Sequence, residues 1–152
     1  MADQSARPMN ALTRVVLGAL RTVLRSLQTD RASVSRAEQI ARTIAMVPPF
    51  GLLLIILRTR ARLYGPIDVL VTASTGDRFR CRPPDFIQMY LWLFGMWEPD
   101  LTAFIAERLS DGDGFVDVGA NIGYFSALAA RRVGPSGRVL AIEASPAVFA
   151  LL

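Results

Sequence analysis

Apolar residues first recur at a helical spacing. Leu12, Val15, Val16, Ala19, Leu20, Val23, Leu24 and Leu27 fall at intervals of three and four, with Arg14, Arg21, Arg25 and Gln28 on the other face. This predicts a basic amphipathic helix over residues 11–28, with Asn10 as its N-cap. Ser35-Arg-Ala-Glu38 is a capping box, so a second helix is expected from Arg36. Pro48-Pro49 should end it by Val47, because proline lacks the N–H that a helix interior uses. Phe50-Gly-Leu-Leu-Leu-Ile-Ile-Leu57 follows, flanked by Arg58, Arg60 and Arg62. With Ile44 to Val47 the apolar stretch is 14 residues, short of the roughly 20 a membrane span needs. It reads as a buried helix or an interfacial segment, and it starts too deep in the chain for a secretory signal.

The period then changes. Gly65-Pro66 marks a break and a domain boundary. Ile67–Thr72 and Arg78–Arg82 alternate or run β-branched around Ser74-Thr-Gly-Asp77, which predicts a β-hairpin. Pro83-Pro84 ends it. An aromatic-rich helix is expected over Asp85–Phe94, broken by Gly95, and another from Pro99 to Leu109 with proline at its first position. Tyr90, Trp92, Trp97 and Phe104 are expected in the core.

The most informative stretch is Phe115-Val-Asp-Val-Gly-Ala-Asn-Ile-Gly-Tyr-Phe-Ser126. It reads as a buried parallel strand, a glycine turn between Gly119 and Gly123, and a helix over Tyr124–Ala130. A glycine turn at a strand's carboxyl end lets a ligand approach the backbone, and the following helix start favours negative charge. Asp117 lies near the end of this strand. Arg138-Val-Leu-Ala-Ile-Glu143 is a second strand whose terminal acid lies 24 residues past Gly119. From that distance a carboxylate can reach the ribose of a nucleoside held over the first turn. Ser145-Pro146 opens a last helix as N-cap and N1.

Charge divides the chain. Residues 1–62 carry ten arginines against Asp3, Asp30 and Glu38, a net +7. Residues 63–152 carry seven arginines against ten acids, a net −3, and the two give the chain's +4. The basic third suits an anionic membrane surface or nucleic acid, or is simply a solvated arginine face. There is no lysine and no histidine, so neither a zinc site nor a histidine general base is expected. Cys81 is the one cysteine, so no intramolecular disulfide can form.

Gly112-Asp-Gly-Phe-Val-Asp-Val-Gly-Ala-Asn-Ile-Gly-Tyr-Phe-Ser and Val133-Gly-Pro-Ser-Gly-Arg-Val-Leu-Ala-Ile-Glu-Ala-Ser-Pro resemble the FkbM family of S-adenosylmethionine-dependent methyltransferases. The likeness runs from about Gly76 to Leu152 and is strongest after Gly112. The turn lacks the Gly-x-Gly-x-x-Gly of nicotinamide-cofactor folds. The resemblance implies an α/β chain: an incomplete Rossmann-like class I methyltransferase fold, preceded by an α-helical N-terminal region and a β-hairpin. The expected parts are a helical basic region over 1–64, a hairpin-plus-helix lead-in over 65–111, and the start of the cofactor-binding domain over 112–152, stopping after its second strand.

By the same resemblance, Asp117, Gly119, Ala120, Asn121 and Gly123 surround the amino acid end of S-adenosylmethionine, and Glu143 takes its ribose. No catalytic base and no metal are assigned. The implied reaction is O-methylation of a sugar or polyketide-type hydroxyl, on a small-molecule or glycolipid acceptor, in the cytoplasm and without nucleic acid. Two alternatives stand beside it: an inactive remnant, and a membrane-associated or partner-binding protein with peripheral membrane contact through residues 11–28 and 50–57. Two parallel strands alone would leave apolar edges bare, so marginal stability or aggregation is expected unless a partner completes the sheet.

Overall fold

The computed structural model describes residues 11–28, 34–150 and 152; the proposed Asn10 cap lies outside them. Those residues form a mixed α/β chain of six helices and two two-stranded sheets. They separate into two compact units, one of the described residues up to Asp68 with 82–85, the other of residues 69–81 with the described residues from Phe86 on.

The first unit contains α1 (Ala11–Leu27) and α2 (Arg36–Tyr64), which pack on each other. The Ser35 hydroxyl accepts the Glu38 N–H at 3.2 Å, one half of the anticipated capping box. The Glu38 carboxylate turns instead to Arg42, one helical turn on. Contrary to the sequence expectation, α2 does not end at Val47. It runs on through Pro48 and Pro49 for 29 residues, about 43 Å. Proline's fixed φ is itself helical, so the helix can continue, at the cost of two N–H groups and of crowding between each ring and the carbonyl four residues earlier. The carbonyls that lose them, four residues earlier, belong to Ile44 and Ala45. Both residues are exposed, where solvent can serve those oxygens. Gly65, at φ 86°, ends the helix.

Leu17, Leu24, Leu53 and Leu57 are the buried side chains of this pair. Leu20, Leu27, Leu54 and Ile56 are half-buried, and much of the remaining apolar surface is not covered. Leu12, Val15, Val16 and Val23 are exposed, and so are Ile44, Val47, Leu52 and Ile55. Arg21 is partly covered, and burial, followed by the nearby charge of Arg25, lowers its pKa below the ordinary arginine value.

The second unit opens with β1 (Val69–Thr72) and β2 (Arg78–Cys81), an antiparallel hairpin in which Val71 faces Phe79. Its loop closes with Ala73 N–H donating to the Asp77 carbonyl at 2.8 Å. α3 (Phe86–Phe94) follows, and Gly95, at φ 77°, turns the chain so that its N–H caps the Leu91 carbonyl. α4 (Pro99–Arg108) has proline at its start, as anticipated. Tyr90, Trp92 and Trp97 are half-buried. Phe104 is not in the core. α4 buries Thr102 and Ile105, and the Phe104 ring lies outside with the Arg108 guanidinium over it at 5.3 Å, inside the roughly 6 Å reach of a cation–π contact.

β3 (Gly114–Val118), α5 (Tyr124–Val133) and β4 (Arg138–Ile142) form a parallel strand–helix–strand unit. α6 (Pro146–Phe149) is a single turn after Ser145. Alternation in the strands puts Asp117 on the side that α5 covers. Val116, Val118, Leu140 and Ile142 point to the other face and are exposed. One side of this sheet is therefore a bare apolar surface, whereas parallel sheets ordinarily have both faces covered.

Candidate functional site

The strand register sets the site. Val118 pairs with Ile142, so the residues that follow, Gly119 and Glu143, leave the sheet side by side at its carboxyl end. In open parallel sheets this is where ligands bind. The turn is drawn back over β4: the N–H groups of Gly119 and Ala120 both donate to the Ile142 carbonyl, at 2.8 and 3.0 Å.

The turn's sequence follows from its backbone. Gly119 has φ 81° and Gly123 has φ 78°, a left-handed region that glycine enters without strain. Between them Asn121 has φ 52°, which asparagine tolerates better than most residues. Its side-chain oxygen accepts the next N–H, of Ile122, at 2.9 Å, and so locks the turn locally. No atom lies within 4 Å of where a Gly119 side chain would begin, so that point of the turn borders open space. At Gly123 the corresponding space is taken by the Leu152 side chain.

Glu143 is fixed at both oxygens. Oε2 accepts the Asn121 N–H at 2.9 Å and Oε1 accepts the Ser145 N–H at 2.8 Å. The carboxylate thus bridges the glycine turn and the loop leaving β4. Each carboxylate oxygen has two lone pairs, so each keeps one for a further donor. The start of α5 adds to this region. Gly123 is its N-cap and offers no side-chain cap, so the helix dipole faces the turn unscreened by a capping side chain.

Of the six residues anticipated from the sequence, Gly119, Ala120, Asn121, Gly123 and Glu143 are therefore brought together directly. Asp117 stands slightly apart. It is buried, and its Oδ2 accepts the Ser126 hydroxyl at 2.6 Å from the first turn of α5. It braces the helix against the strand from beneath the turn.

Tyr124 was not singled out by sequence reasoning. It follows the turn directly, is buried, and enters the same cluster as Val71, Phe79, Cys81, Leu91 and Ile122. Its ring lies 5.7 Å from that of Phe79, and its hydroxyl is 3.3 Å from that of Thr102, which also donates to the Trp97 carbonyl at 2.7 Å. Arg131 of α5 pairs with Asp77 in the hairpin loop. The hairpin and α4 therefore pack against the residue that follows the turn. An aromatic residue after the second glycine was the available signal, but its partner is 45 residues earlier in the chain.

Comparison with protein families, curated proteins and solved structures finds no match to this chain.

Proposed function

We propose that the carboxyl ends of β3 and β4 hold S-adenosylmethionine, and that the chain belongs to a Rossmann-like methyltransferase of FkbM type. One observation carries this reading. The Glu143 carboxylate is delivered by the parallel register to the glycine turn and clamped there with a lone pair spare on each oxygen. Two ribose hydroxyls are the donors that such a planar, two-oxygen acceptor suits.

The fit extends to the rest of the turn. Open space over Gly119 lets a ligand lie against the backbone, where a side chain would push it away. The α5 N-terminus favours the cofactor's carboxylate end. Asp117, through Ser126, keeps that helix start in place. When bound, the cofactor supplies an electrophilic sulfonium methyl for in-line displacement by an acceptor oxygen, leaving S-adenosylhomocysteine and a proton. The residues of this chain bind and orient; the acceptor, a sugar or polyketide-type hydroxyl by the resemblance, is deprotonated by a group assigned to none of them.

Calorimetric titration of the folded chain with S-adenosylhomocysteine tests the reading. Binding is expected, with at least a tenfold loss in Glu143→Ala, where a lost charge-assisted pair is worth about 1.5–3 kcal/mol, and in Gly119→Val, whose side chain would fill the open space over the turn and strain a left-handed position. A sample with native circular dichroism that binds no S-adenosylhomocysteine overturns it.

A further inference from the structure

We propose that the α1–α2 unit docks flat on an anionic lipid bilayer. The argument is separate from the cofactor site and rests on the first unit alone.

The unit displays apolar side chains that its own packing does not use. Leu12 and Val15 on α1 are 73% and 68% exposed, and Ile44, Val47 and Ile55 on α2 are 64%, 66% and 64% exposed. Residues 43–57 of α2 carry no charge. The most apolar 18-residue window of this helix is only 11% buried. A helix apolar on all sides belongs in a protein core or in lipid.

Charge selects the occupant. Residues 1–62 carry a net +7, and Arg58 and Arg62 are exposed at the end of the apolar stretch of α2. Anionic headgroups neutralise such a surface, and arginine stems can lie along apolar area while their heads reach phosphate. A second copy of this unit would bring the same positive charge against itself, which disfavours a self-complementary contact.

Depth is set by the partner helix. By length and composition α2 alone is able to cross a bilayer, so its own sequence does not fix the depth. α1 packs along α2 and carries Arg14, Arg21 and Arg25. Threading α2 across the bilayer would draw those arginines into hydrocarbon. Lying in the interface keeps them at the headgroups and leaves the Ile44 and Ala45 carbonyls, short of donors because of Pro48 and Pro49, within reach of interfacial water.

The test is flotation of the full chain, made by cell-free synthesis with vesicles of phosphatidylcholine alone or with 30% phosphatidylglycerol. The chain is expected to float with the anionic vesicles, to be released by about 0.5 M salt or alkaline carbonate, and to stay behind with the neutral ones. R58Q/R62Q should lower the anionic partition by about 30-fold. Val15→Ser with Val47→Ser, at exposed positions where folding is undisturbed, should lower it about tenfold, and Glu143→Ala should leave it unchanged. Flotation that resists carbonate would show a span and overturn the proposal. So would equal flotation with both vesicle types, no flotation, or a soluble dimer that does not float.

Discussion

The helix pair α1–α2 and the turn from Gly119 to Gly123 keep their shapes by opposite means. The helices have four buried leucines and a surface that is largely apolar. The turn has every N–H from Gly119 to Gly123 committed: two to the Ile142 carbonyl, one to Glu143, one to the Asn121 side chain and one to the Ala120 carbonyl, with an aromatic cluster packed on the residue that follows. Geometry over-determined in this way is what a ligand site requires, because the shape must exist before the ligand arrives. The helix pair shows the reverse. Its form is set by helix hydrogen bonds and a narrow seam, and its outer chemistry is left for something else to cover.

The contrast can be broken at either end. The largest effect is expected from Tyr124→Ala, which empties the cluster shared by the hairpin and the turn. A loss of about 4 kcal/mol should lower the thermal midpoint and abolish S-adenosylhomocysteine binding together. Next comes Leu24→Ala, a fully buried side chain in the narrow seam. It should cost about 3 kcal/mol and speed amide exchange over residues 36–64, while exchange in β3 and α5 stays as it was. The smallest is Asp77→Ala. Its partner Arg131 is half-exposed, so the loss should be about 0.5 kcal/mol, seen as a slight shift of the urea midpoint. A Tyr124→Ala chain that melts like the parent would mean that the hairpin does not support the turn.

Local chemistry made some of this legible. Phe115 to Val118 and Arg138 to Ile142 are short apolar runs between glycine-bearing turns, and both became strands in parallel register. Gly95 and Pro99 ended and began helices where their backbone preferences place them. Other features depended on partners remote in sequence. Nothing near Tyr124 announces Phe79, and nothing near Asp117 distinguishes a ligand-facing carboxylate from one bonded to Ser126. Pro48-Pro49 misled for a different reason: two adjacent prolines remove hydrogen bonds but do not bend φ away from the helix, and apolar residues on both sides continue it. Phe104 was misplaced because aromatic character says nothing about which face of α4 meets the neighbouring helix.

Tyr124 belongs at once to the turn and to the hairpin's apolar cluster, and that has a thermodynamic consequence. Two elements sharing one buried residue open and close as linked equilibria. A ligand that stabilises the turn must therefore slow exchange in β1 and β2, and a contact that steadies the hairpin must raise the turn's affinity by the same factor. Residues 69–81, which touch no cofactor in the proposed site, are in this sense part of its binding constant.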